Sequence, residues 1–266
     1  MQRYLVKNMF DVSNKNVLIT GGSRGIGLMM TKVLAANGAN VFVSSRSKDN
    51  CDRVVSDLIE NGCQAISIPH DVSLNSTELA ESLSQHTDKL HVLINNSGTT
   101  WGQPLEEYDE IAWSKCFDLN VKAVFELTRA CLPLLRNASR SEDPSRVVNV
   151  GSVTGFQHQP FPTYAYDSSK AAVHSLTKKL AFELAEDNIT VNAIAPGYIP
   201  TKMSGQLDTY GRDEESMASK VPMGRLGRDT DMGGVVMFLC GQGSGAWVTG
   251  AVIPVDGGTL SCPLEI

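Results

Sequence analysis

Thr20-Gly21-Gly22-Ser23-Arg24-Gly25-Ile26-Gly27 follows the apolar run Val17 to Thr20 and leads into Ile26 to Ala36, whose apolar residues recur at helical spacing. A strand that enters a glycine-rich turn and leaves it as a helix is the context a dinucleotide site requires. The glycines, spaced G-x-x-x-G-x-G, let the backbone come close to a pyrophosphate, and the helix start offers free N–H groups with a favourable dipole. Such a turn is weak evidence alone, because tight turns use glycine anyway; its place after the first strand gives it weight. The contacts expected here are Gly21, Ser23, Arg24, Gly25, Ile26 and Gly27.

The second apolar run, Val41 to Ser44, ends in Ser45 and Arg46. NAD sites usually place a carboxylate at this point, on a ribose hydroxyl; this chain has none there. Arg24 and Arg46 instead offer two guanidinium forks to a 2′-phosphate, a geometry that suits Arg. The expected cofactor is therefore NADP(H), against the plainer alternative of two solvated surface charges.

Further apolar, β-branched runs follow at Ala65 to Ile68, Val92 to Asn95, Val147 to Val150, Thr190 to Ile194 and Val252 to Val255. Between them, Asp52 to Glu60, Val121 to Leu135, Tyr166 to Ala185 and Met232 to Leu239 have helical spacing. Strands that are apolar nearly throughout need cover on both faces. The pattern predicts an α/β fold: one Rossmann-type domain over residues 1–266, a doubly wound parallel sheet with helices on both faces. Ligands of such sheets bind beyond the carboxyl ends of the strands, so the residues just after each run become site candidates.

Composition narrows the function classes. A net charge of -6 disfavours nucleic acid, whose phosphates need a concentrated basic surface. The six cysteines are scattered, with no Cys-x-x-Cys pair and no His at metal-ligand spacing, so no metal site is expected and reduced thiols in a cytoplasmic protein are. The N-terminus lacks the features of a secretory signal, and no stretch is apolar enough to span a bilayer.

Tyr166 and Lys170 stand four apart in a helical segment and so share one face. A nearby ammonium stabilises a phenolate, which would bring a tyrosine toward useful acid/base behaviour. Ser152 sits just past the fifth strand, where its hydroxyl can bind a carbonyl oxygen. Asn120 could hold a water that relays protons to Lys170. With Asp71-Val72, Asn95-Asn96-Ser97-Gly98 and Pro196-Gly197, these motifs resemble the short-chain dehydrogenase/reductase family across nearly the whole chain.

The resemblance implies a catalytic tetrad of Asn120, Ser152, Tyr166 and Lys170. It implies further cofactor contacts from Asp71 and Val72 at the adenine, and from Asn96, Ser97 and Gly98 on the adenosine side. Pro196, Gly197, Ile199 and Thr201 would meet the nicotinamide carboxamide, and Tyr166 and Lys170 the nicotinamide ribose. Two departures from the family pattern are Ser97, where Ala is commoner, and Gly151, where a second Ser often precedes Ser152. A homotetramer or homodimer is expected on resemblance alone.

The implied substrate is a small ketone or secondary alcohol. Trp101 and its loop, Leu132-Pro133-Leu134-Leu135-Arg136 and Pro222-Met223-Gly224-Arg225-Leu226-Gly227-Arg228 are similar to motifs of bacterial 3-oxoacyl reductases, which suggests a 3-oxoacyl thioester. A polyol, sugar or small diketone is the alternative; a catalytically silent dinucleotide sensor would be expected to lack Tyr166, Lys170 or Ser152. Residues 198–228, with Met203, Met217 and Met223, read as a lid. Glu183, Glu186 and Asp187 speak against an acidic acyl carrier, while Arg136, Arg140 and Arg146 offer a candidate basic patch. His158 is either a lining residue or an ordinary loop histidine, and His174 is expected merely to pack or cap.

Overall fold

The strand runs form β1 (Asn16–Thr20), β2 (Asn40–Ser44), β3 (Ala65–Ser67), β4 (Val92–Asn95), β5 (Ser145–Val150), β6 (Ile189–Pro196) and β7 (Val252–Val255) in a computed structural model that describes residues 1–201 and 214–261. The helices are α1 (Val6–Met9), α2 (Gly25–Ala36), α3 (Lys48–Glu60), α4 (Ser76–Ser84), α5 (Glu110–Phe117), α6 (Ala123–Ala138), α7 (Tyr164–Leu184), α8 (Glu214–Ala218) and α9 (Asp229–Cys240). The sheet is parallel throughout, in the order β3-β2-β1-β4-β5-β6-β7. Strand order reverses beside β1, and the crevice between the carboxyl ends of β1 and β4 is where such sheets receive ligands.

Both faces of the sheet are covered. Val17 and Ile19 of β1 point with Val41 and Val43 into a layer formed by α2, α3 and α9, where Met30, Leu34, Val54, Leu58, Val236 and Leu239 are buried. Leu18 and Phe42 point the other way, against Leu79, Leu83, Leu127, Leu135, Leu180 and Leu184 of α4, α6 and α7. Neighbouring positions of a strand thus enter opposite cores, which explains why the runs are apolar rather than alternating. Each such Leu or Ile stabilises the fold by about 1.5–3 kcal/mol relative to an exposed position.

Local signals set several boundaries. Ser47 accepts from the Asn50 N–H and starts α3 four residues before the expected Asp52. Asn75 caps α4 and Asp109 caps α5, two short helices that spacing alone did not pick out. The segment expected to begin at Val121 is the continuation of α5: a π-helical turn, Asp118–Lys122, joins it to α6. Leu180 and Leu184 are core residues, with Leu176 packed against the same cluster.

The amino ends of the strands hold a buried ionic cluster. Lys15 donates to both oxygens of Asp143 at 2.7 and 2.6 Å, and Arg146 pairs with the same carboxylate. Arg146 also donates to the carbonyls of Gly241 (2.8 Å) and Gln242 (3.2 Å) after α9, with only 1% of its side chain exposed. The basic patch expected from Arg136, Arg140 and Arg146 therefore does not form: Arg146 is interior, and Arg136 is paired with Asp187 at 2.7 Å. That whole region also lies at the end of the sheet opposite the β1/β4 crevice.

Of the expected lid, residues 202–213, with Met203, lie outside the described residues. In its described part Met217 is buried and Met223 exposed. No helix of the described residues is long and apolar enough to cross a membrane, and among them no three His, Cys, Asp or Glu side chains gather as metal ligands would.

Candidate active site

The glycine turn after β1 is shaped for close approach. Gly21 and Gly25 have φ of +65° and +52°, a region that side chains with a Cβ rarely adopt. A Cβ on Gly27 would stand 2.3 Å from the Gly21 carbonyl oxygen, so the helix start can sit this tightly on the turn only with glycine there. Ser23 donates to Ser45 at 2.8 Å and the Gly22 N–H donates to the Ser44 carbonyl at 3.2 Å, which ties the turn to the end of β2. Arg24 and Arg46 thereby flank one surface. Both are exposed, and neither guanidinium has a hydrogen bond or ion pair among the described residues. Thr201 closes the other side, since a Cβ on Gly25 would meet its methyl at 3.3 Å.

Polar groups buried behind the crevice hold the strand ends in register. Thr20 accepts from the N–H groups of Asn96 and Ser97, both at 3.0 Å, while the Asn96 amide donates to the carbonyls of Thr20 (2.9 Å) and Gly21 (3.3 Å). Asn95 donates to Asn149 at 2.9 Å and to Thr128 at 3.1 Å, and Asn149 donates to Thr177 at 2.9 Å. Each amide finds partners, which is what allows it to be buried between β4, β5 and the helices. Asp71 follows β3 and accepts from Ser73, whereas Val72 is buried in the core.

Asn120, Ser152, Tyr166 and Lys170 come together at the carboxyl end of β5. Asn120 sits on the π turn and clamps the loop after β4: its oxygen accepts from the Thr99 N–H at 2.9 Å, and its amide donates to the Thr99 carbonyl and to Ser169, both at 2.9 Å. Both amide hydrogens are therefore committed, and the expected water relay cannot use this amide as a donor. Ser169 passes the contact on by donating to the Tyr166 carbonyl at 2.7 Å. Lys170 donates to the Val150 carbonyl at 2.8 Å, and its nitrogen lies 5.6 Å from the centre of the Tyr166 ring. Ser152 stands close enough to the Tyr166 phenol to act on its pKa and accepts from Thr154.

Desolvation dominates the electrostatics here. Burial pushes the Tyr166 phenol above its ordinary value, with the Ser152 hydrogen bond working the other way. Burial brings the Lys170 ammonium down to about 8. Burial outweighs the Ser152 interaction, and Asp167 and Cys116 act in the same sense as burial, so the phenol is held above its ordinary value instead of the lowered one expected. Cys116 lies close enough to interact with both groups, and burial raises its thiol to about 11.

One turn beyond Lys170, His174 is buried, and burial together with Lys170 and Lys178 lowers its pKa to about 4, with the Gly155 backbone opposing. A histidine neutral in the fold and titrating at its ordinary 6.5 when unfolded binds fewer protons in the native state between those values. Stability should therefore fall as pH drops from 6.5 toward 4. Thermal melts of the unsubstituted protein and of His174→Met across that range should show the decline flattened in the variant.

Ile199 and Pro196 complete the expected set differently from one another. Ile199 is buried in the α2/α9 core, so only its backbone is available to a ligand, while Pro196 ends β6 and the Gly197 N–H donates to the Val255 carbonyl at 3.0 Å. Thr99 opens the loop Thr99 to Pro104 expected to set substrate choice, whereas Cys116, Ser169 and Tyr108 are singled out by no motif. Tyr108 accepts from the Ala165 N–H at 3.0 Å and meets Tyr164 edge-on at 5.0 Å. The first turn of α7 also lines a depression of about 480 Å³ with Leu105, Tyr108, Trp113, His158, Tyr164, Asp167 and Ser168. This places His158 among lining residues, outside the tetrad.

Comparison with known proteins agrees with this geometry. A family model described as short chain dehydrogenase matches residues 15–210. The chain is 40% identical over 250 residues to the rhamnolipids biosynthesis 3-oxoacyl-[acyl-carrier-protein] reductase of Pseudomonas aeruginosa, covering 94% of this chain and 97% of that one. Its fold is similar to the Pseudomonas aeruginosa RhlG/NADP active-site complex, with a TM-score of 0.90 and 40% identity, covering 95% and 98% of the two chains. It is also similar to a putative 2-deoxy-D-gluconate 3-dehydrogenase from Agrobacterium tumefaciens with bound NADP, with a TM-score of 0.85 and 32% identity, covering 96% and 100%.

Proposed function

The chain belongs to the short-chain dehydrogenase family, and from that premise we propose that it is an NADP(H)-dependent reductase acting on a 3-oxoacyl thioester. The observation that carries the reading is the meeting of Ser152, Tyr166 and Lys170 at the carboxyl end of β5, beside a glycine turn flanked by the exposed Arg24 and Arg46. The turn fits a dinucleotide because glycine at 21 and 27, where a Cβ would collide with Asn96 or with the Gly21 carbonyl, lets the helix start pack onto the turn and present its free N–H groups. Gly21, Ser23, Gly25, Ile26 and Gly27 would hold the pyrophosphate, and Arg24, Ser45 and Arg46 the 2′-phosphate. Asp71, Val72 and Asn96 to Gly98 would hold the adenosine, and the backbone from Pro196 to Thr201 the carboxamide.

When bound, NADPH supplies a hydride to the carbonyl carbon. Ser152 donates a hydrogen bond to the ketone oxygen, and Tyr166 gives that oxygen its proton as the alcohol forms. Lys170 stabilises the tyrosinate left behind and binds the nicotinamide ribose. Asn120 keeps the Thr99 loop and Ser169 in place beneath them.

The carrier of the acyl group is not restricted by the acidic end of α7. Glu183, Glu186 and Asp187 lie near the start of β6, at the opposite end of the sheet from Tyr166. A polyol or sugar substrate is the second reading, favoured by Asp167, Ser168 and His158 around the depression at the start of α7. The deciding experiment follows NADPH consumption with a short 3-oxoacyl-CoA and with polyol-derived ketones. Turnover of the thioester supports the first reading, and turnover of the ketosugars alone replaces it with the second.

For the cofactor, Arg46→Asp should weaken NADPH binding by roughly 10–100-fold, the worth of a charge-assisted contact. NADH binding should change little. Equal losses in a fluorescence titration of both would sink the two-arginine argument. Exposed Phe125 on α6, Phe182 on α7 and Trp247 support a homo-oligomer, which light scattering would reveal as a mass above 28.7 kDa.

A further inference from the structure

We propose that His174 is a positioning residue for the reaction, a flat wedge that fixes the Gly151–Gly155 loop and so aims Ser152. The inference rests on the reductase reading above and adds to it a residue outside the tetrad.

His174 lies one helical turn beyond Lys170 on the same face of α7, and the two side chains grip consecutive parts of one loop. Lys170 donates to the Val150 carbonyl at 2.8 Å, immediately before Gly151. A Cβ at Gly151 would lie 2.2 Å from His174 Nε2, and one at Gly155 would lie 2.6 Å from its Cε1. No side chain can therefore stand at either position while the imidazole is in place. The Phe156 ring lies against it at 4.6 Å between centres.

The loop between these two glycines carries Ser152, and its own internal bonds are short-range: Ser152 accepts from the Thr154 N–H at 3.2 Å, and the Gly155 N–H donates to the Ser152 carbonyl at 3.1 Å. The Gly151 N–H donates to the Ile194 carbonyl at 2.8 Å and ties the loop's start to β6, while the space between the loop and α7 is filled by the wedge. His174 is 5% exposed, and its polar neighbour is the Gly155 backbone, too poorly aligned for a full hydrogen bond to either ring nitrogen. The imidazole is thus retained with its ring nitrogens poorly satisfied, a cost a hydrocarbon would avoid. A planar ring filling a slot between two backbone segments is the feature that a branched hydrocarbon would not reproduce.

The fit predicts a reciprocal pair. Gly151→Ser should clash with the imidazole, shift Ser152 and lower kcat by about tenfold or more, because small misplacements of a reacting group are costly. His174→Ala should lower kcat by about tenfold by freeing the loop. Combining them should restore kcat to within about threefold of the unsubstituted protein, the coupling expected of residues in direct contact. KM for NADPH should stay unchanged throughout, and the melting temperature should fall in Gly151→Ser and recover in the double variant.

Each protein is assayed with NADPH against a short 3-oxoacyl-CoA and a reactive small diketone, and melted without substrate. Silence of the unsubstituted protein with both ketones would overturn the reductase reading and the positioning role with it. Turnover that survives Gly151→Ser, or a His174→Ala variant that loses only melting temperature, would overturn the positioning role alone. If Gly151→Ser does not fold, the double variant decides: activity above that of His174→Ala supports the fit, and activity at or below it overturns it.

Discussion

Tyr166→Phe should lower the reduction rate by roughly 10²–10⁴-fold, the usual worth of a positioned general acid, with NADPH affinity nearly unchanged. The substitution removes one oxygen and keeps the ring. The start of α7 should survive it, because Tyr108 holds the Ala165 N–H and Ser169 holds the Tyr166 carbonyl without using the phenol. The phenol stands beside Ser152 and is protonated at neutral pH, and the Lys170 ammonium on the same helix face is the group placed to stabilise the tyrosinate that proton release leaves. Single-turnover measurements with saturating NADPH would separate this loss from any change in binding. Turnover that persists at the unsubstituted rate would remove Tyr166 as the acid.

Asp143→Asn should destabilise the fold by about 3–5 kcal/mol, because it leaves two buried cations without their counter-ion. In a chain of this size that corresponds to a loss of about 10 °C in melting temperature. The Lys15 and Arg146 side chains are 6% and 1% exposed, and among the described residues no other carboxylate pairs with either. By contrast, Arg136→Gln breaks an ion pair whose members are 51% and 31% exposed. It should cost under about 1 kcal/mol.

The sign of the pH dependence is also set. Burial and Arg146 hold the Lys15 ammonium below its ordinary value, so the unfolded chain binds more protons in that range and stability rises with pH through it. Raising the pH should therefore return part of what Asp143→Asn loses. A thermal melt of the variant that matches the unsubstituted protein would show the cluster to be dispensable.

Much of the site was legible because its signals are local. A glycine turn between strand and helix, a Tyr and a Lys four apart, and a Ser at the end of an apolar run are all set by neighbours in the chain. The helices α4 and α5 were not legible, since they are short and owe their starts to the caps Asn75 and Asp109 as much as to an apolar stripe. Arg146 reads as a surface cation until β5 is placed between Asp143 and the carbonyls that follow α9. That the Asn120 side chain is held by Thr99 and Ser169 is likewise set by segments distant in sequence.

By itself the sequence determined the parallel sheet, the glycine turn and the place of Tyr166 and Lys170 on one helix face, because apolar runs, glycine spacing and i,i+4 neighbours act over a few residues. Only the tertiary structure decided which cations are buried, how Asn120 is spent, and that Gly151 and His174 share one space. Those outcomes depend on segments distant in sequence meeting at contact distance, where the volume of one side chain and the missing Cβ of another become a single constraint.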